Sequence, residues 1–287
     1  MTKATENNIQ AFWSDNPMIH PGGDFDWRTS TPEDIFAHVE GLIRSEKGTH
    51  FQGSDAPILD NFIDYDALRG KTVLEIGYGV GWLINELSKV AAEAQGIDLS
   101  KSHFALSSHR FRDTENVHLQ VPSAEAIPFP DGYFDFVASY GVIHHAADDQ
   151  KCYDEVRRVL KPGGCAFLML YRKGGPKYWW QKMFKQGLLK GGLFRHRFNV
   201  ASFINSVTDA YDEDSPGAPI SRHYTMRDLE RLLGRFAKID VAVTGNRTEW
   251  DFLPAAFLPL TNWLLSRAQR DWLLRHSAAY WMVTLEK

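Results

Sequence analysis

The chain has 287 residues, of which 32 are Lys or Arg and 36 are Asp or Glu, so its formal net charge is −4. A chain of this length can bury a large core without disulfides or metal staples, and this charge gives no global attraction to nucleic acid. The two cysteines, Cys152 and Cys165, form no framework and no Cys/His cluster, which excludes a disulfide-rich secreted module and a structural zinc site. The N-terminus is polar and no apolar run approaches the roughly 20 residues of a membrane span, so we expect a soluble, cytoplasmic protein.

Residues 1–70 are predicted to form a helical preamble that acts as a lid. Thr31-Pro32-Glu33-Asp34 is a typical helix start, with an N-cap residue, proline at the first helical position and acid in the first turn.

Residues 71–171 alternate short apolar runs with amphipathic stretches, which predicts an α/β core with a parallel sheet. Strands are predicted at 71–76, 94–98, 116–121, 133–139 and 165–171, and helices at 80–90, 102–112 and 148–160.

The alternation is interrupted twice after this core. Residues 172–222 are predicted to be a basic, aromatic cap insertion. Residues 223–287 are predicted to complete the sheet, with a helix from Thr225 and strands at about 237–244 and 279–285. A second insertion at about 246–277 is rich in aromatic residues, and prolines break it, so we expect a hydrophobic cap or a dimer face there.

A glycine-rich loop follows the first strand. Gly77, Gly79 and Gly81 separate that strand from the next helix, an arrangement that lets the backbone approach a ligand closely. Asp98 ends the second strand, where a carboxylate can accept hydrogen bonds from both ribose hydroxyls of a nucleoside. A dinucleotide site needs its third glycine where this chain has Trp82, and an indole there would obstruct a diphosphate.

The G-x-G-x-G loop preceded by Glu75 instead resembles the motif of class I S-adenosylmethionine (SAM) methyltransferases. The run S-A-E-A-I-P-F at 123–129, the run S-Y-G-V-I-H-H at 139–145 and the run V-L-K-P-G-G at 159–164 extend the resemblance to the branch with ubiquinone/menaquinone-biosynthesis methyltransferases. The chain has Ser123 where this family usually has Asp.

The resemblance implies a Rossmann-like, doubly wound sheet of seven strands, mostly parallel with an antiparallel last strand. It also implies SAM as cofactor and in-line transfer of its methyl group. The cofactor-binding residues that we predict are Glu75, Gly77, Tyr78, Gly79, Gly81, Asp98, Leu99, Ser123, Ala124, Glu125 and Tyr140.

The acceptor side is predicted from residues at the carboxyl edge of the sheet. His144 and His145 follow the fourth strand and are candidate general bases, although both could equally be turn residues. Tyr140 is a candidate for catalysis as well as for cofactor contact. Candidate substrate contacts are Trp13, Tyr171, Arg222, His223 and Tyr224, and we expect no metal ion.

The segment 172–198 has eight Lys or Arg residues and no acidic residue, interleaved with aromatic and aliphatic side chains. Four interpretations stay open: a mobile cap that binds an anionic substrate, an amphipathic helix on anionic lipid, an aromatic surface for RNA, and a helix packed on the core with solvated lysines.

The predicted function is methyl transfer to an O, N or C nucleophile of a small, partly apolar metabolite. The alternatives are a quinone or lipid methyltransferase at a membrane surface, an RNA methyltransferase that uses the basic insertion, an NAD(P) oxidoreductase and a non-catalytic SAM-binding protein. We expect a small-molecule acceptor, no nucleic acid, peripheral membrane contact as an alternative, and a homodimer as a further alternative.

Overall fold

The computed structural model describes residues 5–17, 25–46, 56–175, 177–209, 217–245, 264–266, 269 and 278–287. Its centre is a sheet of seven strands in the order β3-β2-β1-β4-β5-β7-β6. The strands are β1 (Thr72–Ile76), β2 (Glu93–Ile97), β3 (Val117–Gln120), β4 (Phe134–Tyr140), β5 (Leu160–Tyr171), β6 (Lys238–Thr244) and β7 (Tyr280–Glu286).

The strand directions confirm the predicted fold class. The strands β1 to β5 pair in parallel with their neighbours, whereas β7 lies antiparallel to both β5 and β6. The carboxyl ends of the parallel strands therefore meet at one edge, which is where open α/β sheets bind ligands.

Helices cover both faces of the sheet, as in a doubly wound fold. The helices are α1 (Glu6–Asp15), α2 (Pro32–Glu46), α3 (Trp82–Ser88), α4 (Lys101–Arg110), α5 (Asp149–Val159), α6 (Gly192–Arg195), α7 (Val200–Ser206) and α8 (Met226–Leu233). Buried side chains of α2 and α3 share one apolar cluster, and those of α5 and α8 share the other. The strands between them are therefore apolar on both faces.

Local signals set the helix starts. Thr31 and Asp34 form reciprocal hydrogen bonds across the first turn of α2, so the predicted start of that helix is confirmed. The helix α3 is shorter than the predicted 80–90, because Gly81 is left-handed (φ +81°) and serves as its N-cap.

The fifth strand begins earlier than predicted. Leu160 pairs with Phe134 and Cys165 pairs with Phe136, so residues 161–164 form a bulge inside β5 instead of a separate turn before it.

The first insertion is helical and contains a π-helix at Lys177–Leu189, here called the cap helix, followed by α6 and α7. The second predicted insertion lies almost wholly outside the described residues. Among the described residues, no helix is both long and apolar enough to cross a membrane.

Candidate active site

The three glycines of the loop differ in what a side chain would contact at each position. All three are left-handed, with φ of +76°, +54° and +81° at Gly77, Gly79 and Gly81. A Cβ on Gly77 would collide with Val142 and a Cβ on Gly81 would collide with Phe111, whereas a Cβ on Gly79 would meet no atom within 4 Å. Because Gly79 lines a cavity, a side chain there would enter that cavity.

The cavity has a volume of about 520 Å³ and lies at the carboxyl edge of the sheet. Its lining includes ten of the eleven predicted cofactor residues: Glu75, Gly77, Tyr78, Gly79, Asp98, Leu99, Ser123, Ala124, Glu125 and Tyr140. Gly81 is the exception, and it serves as the N-cap of α3. Trp82 lines the cavity with its ring against Tyr140, 5.2 Å between centroids.

Asp98 ties the glycine loop to the end of β2. Its carboxylate accepts hydrogen bonds from the Gly79 N–H (2.9 Å) and the Ser100 N–H (2.8 Å), and His103 Nδ1 lies 3.2 Å from Oδ2. Burial raises the pKa of this carboxyl, but His103 and the two backbone donors lower it by more. Asp98 is therefore ionised at neutral pH and can accept further hydrogen bonds from a ligand in the cavity.

Glu75 presents an unused acceptor to the same cavity. Its side chain is buried, and Oε2 has no hydrogen-bond partner among the described residues. Burial raises the pKa of this carboxyl well above its usual value. A buried polar atom without a partner is costly, so a ligand with N–H or ammonium donors would be stabilised here.

Other predicted cofactor residues also shape the cavity wall. Tyr78 is buried and its hydroxyl donates to the Gln120 carbonyl (3.3 Å). Ser123 Oγ accepts from the Glu125 N–H (3.2 Å), and Glu125 Oε1 accepts from the Asp148 N–H (2.9 Å). Glu125 therefore also holds the start of α5.

The helix α1 forms part of the cavity wall. Gln10 Nε2 donates to the Leu99 carbonyl (3.0 Å), and Ser100 Oγ donates to the Trp13 carbonyl (3.0 Å). Trp13 lines the cavity, and its ring centroid lies 4.9 Å from that of His145. These contacts hold Trp13, a predicted substrate contact, in the wall of the cavity.

The two consecutive histidines have different surroundings. His145 lines the cavity, whereas His144 is fully buried outside its lining and packs on Tyr171, with ring centroids 4.0 Å apart. Burial lowers the pKa of both imidazoles. Of these two predicted general bases, the structure thus brings only His145 to the cavity.

His145 has a defined tautomer and a carboxylate neighbour. Nδ1 lies 2.6 Å from the Ile220 carbonyl, which can only accept, so Nδ1 carries a proton. Nε2 lies 3.3 Å from Oδ2 of Asp209, and Oδ1 of Asp209 accepts from the Tyr171 hydroxyl (2.8 Å). A proton that arrives on Nε2 would therefore be stabilised by Asp209.

Sequence reasoning missed several polar residues of this part of the cavity, among them Asp209 and Lys182. Lys182, on the cap helix, donates to Thr208 Oγ1 (2.6 Å) and lies 3.2 Å from His223 Nε2. Burial and the Lys182 charge lower the pKa of His223 to about 2, so His223 accepts this hydrogen bond as a neutral imidazole. Only the basic character of the insertion hinted at Lys182, and nothing in the sequence singled out Asp209.

Arg222 and Tyr224 lie outside the cavity lining, so the structure does not bring these two predicted substrate contacts to the cavity. The Arg222 guanidinium donates to the carbonyls of Ala146 (2.5 Å) and Ala147 (2.8 Å), and Tyr224 donates to Asp149 Oδ2 (2.8 Å). The chain is extended here, so alternate side chains point in opposite directions and only His223 lines the cavity.

Replacement of Arg222 by leucine is expected to destabilise the fold and leave ligand affinity unchanged. The variant loses two hydrogen bonds from a charged group, and each contributes at most about 1.5–3 kcal/mol to the free energy of unfolding. Urea unfolding would measure the free energy, and calorimetry with S-adenosylhomocysteine (SAH) the affinity. A large loss of affinity without destabilisation would restore Arg222 as a ligand contact.

Residues 74–168 match the family profile described as a methyltransferase domain. An uncharacterised methyltransferase of Bacillus subtilis, YcgJ, is 37% identical over 136 residues, which are 47% of this chain and 53% of that protein. The ubiquinone/menaquinone biosynthesis C-methyltransferase UbiE of Vibrio vulnificus is 32% identical over 110 residues, 36% of this chain and 42% of that protein. The chain thus spans about half the length, or less, of these curated relatives.

A solved SAM-dependent methyltransferase from Methanosarcina mazei superposes with a TM-score of 0.51 at 21% identity, covering 80% of this chain and 97% of that one. This likeness confirms the predicted fold. The family match over 74–168 agrees, for that part of the chain, with the methyltransferase family that the glycine loop resembles.

Proposed function

We propose that this chain, whose residues 74–168 match a methyltransferase-domain profile, is a SAM-dependent enzyme that methylates a small, partly apolar metabolite on a nucleophile that must first lose a proton. One observation carries the proposal. One cavity is lined both by Gly79 and Asp98 and by His145 and Asp209, so a cofactor half and a proton-accepting half share one space.

The cofactor half fits SAM by the chemistry of its residues. Gly79 leaves the cavity free of a side chain, Asp98 offers ionised oxygens to ribose hydroxyls, and Glu75 offers an unpartnered oxygen to a ligand donor. When bound, SAM supplies a methyl group that its sulfonium already activates. The protein has to position the acceptor, exclude water and remove a proton.

Asp98→Asn is expected to weaken SAH binding by about 10- to 100-fold, because the neutral amide loses charge-assisted hydrogen bonds. It also loosens the Gly79 N–H contact that shapes the loop. Isothermal titration calorimetry measures the change. An unchanged dissociation constant in a folded variant would contradict the role given to Asp98.

The acceptor half is suited to deprotonation. His145 donates its Nδ1 proton in a hydrogen bond to the Ile220 carbonyl. Nε2 is therefore the atom that takes the proton of the methyl acceptor. Asp209, 3.3 Å away, then stabilises the imidazolium. An oxygen nucleophile or an acidic carbon needs such a base, whereas a neutral amine does not, so the pair favours the first two.

The walls around this pair suggest the class of acceptor. Trp13, Tyr140, Met169 and Tyr171 are large and apolar or amphipathic, while Lys182 adds a charged donor. This mixture favours a small molecule that is partly apolar and carries a polar group. Because α1 forms part of the cavity wall, a small metabolite fits the cavity better than an RNA chain does. The cytoplasmic location and the homodimer stay predictions.

The test is transfer of a radiolabelled methyl group from SAM to a fractionated metabolite extract, with total RNA as the competing acceptor. We expect label in a small, organic-extractable product. Label in RNA would replace the proposal with the nucleic-acid alternative. Absence of any transfer by a chain that binds SAH would favour a non-catalytic SAM-binding protein.

A further inference from the structure

The outer side of the cap helix carries a row of exposed apolar side chains, here called the cap face. Its members are Trp179, Trp180, Phe184, Leu188 and Leu189, with exposed fractions of 57%, 45%, 38%, 49% and 69%. The rings of Trp180 and Phe184 stack with 5.0 Å between centroids. Nearby in sequence, Phe194 and Phe198 are also exposed and contact each other edge to face.

The cap helix is anchored by its other side, so the cap face is a second apolar surface and not the packing face of the helix. Tyr178 is buried, and Tyr178 and Lys182 line the cavity. Gly187 packs closely against Leu193, which belongs to a small buried cluster with Phe203. The cap helix therefore packs on the protein with one side, as one of the four interpretations expected, and the cap face lies outside that packing.

The charged residues of the stretch around the cap helix are all basic. Residues 172–208 contain eight Lys or Arg residues and no Asp or Glu. Lys185 in the cap helix and Arg195 in α6 are exposed, and so are Lys190 and Arg197, which follow these two helices. Exposed apolar groups and cations thus share one surface.

We propose that the cap face docks on the surface of a bilayer that contains anionic phospholipids. Tryptophan, phenylalanine and leucine enter the boundary between headgroups and acyl chains, and neighbouring cations pair with anionic headgroups. The cap helix would lie in the plane of the membrane with the cavity on its opposite side. This docking does not depend on methyl transfer.

Two other occupants fit the surface less well. A symmetric second copy would bring an identical set of cations against this one, so like charges would repel across the interface. RNA would stack on flat aromatic rings but would leave Leu188 and Leu189 without an apolar partner. An anionic bilayer offers headgroups that pair with the cations and an apolar boundary that accepts the aliphatic side chains.

The test is sedimentation of the full chain with vesicles of phosphatidylcholine alone and of phosphatidylcholine mixed equally with phosphatidylglycerol. We expect binding to the mixed vesicles that decreases with salt. Trp180→Ser/Phe184→Ser should lower the partition coefficient at least about tenfold, since the inserted rings are lost. Lys185→Gln/Lys190→Gln should lower it about 10- to 30-fold, at roughly fivefold for each cation.

The matched control is Phe104→Ser/Met226→Ser, which removes two exposed apolar side chains from α4 and α8. It should bind vesicles like the wild type, and thermal unfolding midpoints should show that all variants are folded. Equal binding by the cap-face variant and the wild type would overturn the proposal. So would a wild-type dimer that the cap-face variant loses, or a preference for RNA over mixed vesicles.

Discussion

Replacing Gly79 with leucine is expected to weaken SAH binding at least about 100-fold, or about 2.7 kcal/mol, while the protein stays folded. The added Cβ meets no protein atom within 4 Å, so the side chain projects into the cavity and takes the space of the ligand. Gly77 would be a poor site for this experiment, because its Cβ would collide with Val142 and disturb the fold itself.

A matched control separates ligand exclusion from backbone strain. Gly70 has the same left-handed conformation, φ +69° against +54° at Gly79, and also has no atom within 4 Å of an added Cβ. Gly70 is exposed and lies outside the cavity lining. Gly70→Leu should therefore cost similar stability, about 1–2 kcal/mol, and leave SAH affinity intact. Equal affinities for the two variants would show that no ligand approaches Gly79.

The second large effect is expected at His145. His145→Asn should lower kcat by about 10²- to 10⁴-fold, because the base is removed, and should leave SAH affinity nearly unchanged. The asparagine amide can still donate to the Ile220 carbonyl, which limits the structural damage. His118→Asn, on an exposed position of β3, is the control and should retain full activity. A His145→Asn enzyme with normal kcat would exclude the general base.

The pH dependence of kcat/KM tests the same assignment. Burial lowers the pKa of His145 below its usual 6.5, and Asp209 opposes this by raising it. Because the base works as the neutral imidazole, activity should persist below pH 6.5 and fall as pH drops through the lowered pKa. Asp209→Asn removes the opposing effect, so the acid limb should move to still lower pH. A limb that does not move would exclude Asp209 as the partner of His145.

The glycine loop and Asp98 could be predicted because they belong to one local unit formed by β1, α3 and β2. The positions of Gly77, Gly79 and Gly81 follow from the strand end and helix start on either side, and Asp98 ends the adjacent parallel strand. Spacing along the chain therefore determines position in space. The sheet could be predicted for the same reason, since each strand in the core is bounded by its own turn signals.

The acceptor half depends on how the insertion folds back, which spacing does not encode. Asp209 and Lys182 reach the cavity from the first insertion, residues 172–222, far from His145 in sequence. At residues 222–224 the sequence indicated the correct edge of the sheet, but the direction of each side chain depends on the bridge between Arg172 and Tyr224. The same limit applies to His144 and His145, whose short 3-10 helix turns only one of them toward the cavity.

Binding of SAM in the cavity is most directly tested by a crystal structure of the wild-type chain grown with SAH. The account predicts an adenosyl group between the glycine loop and Asp98, with ribose hydroxyls within hydrogen-bond distance of that carboxylate and the sulfur on the side of His145. Density for SAH elsewhere on the protein, or a nicotinamide dinucleotide displacing it from this cavity, would contradict it.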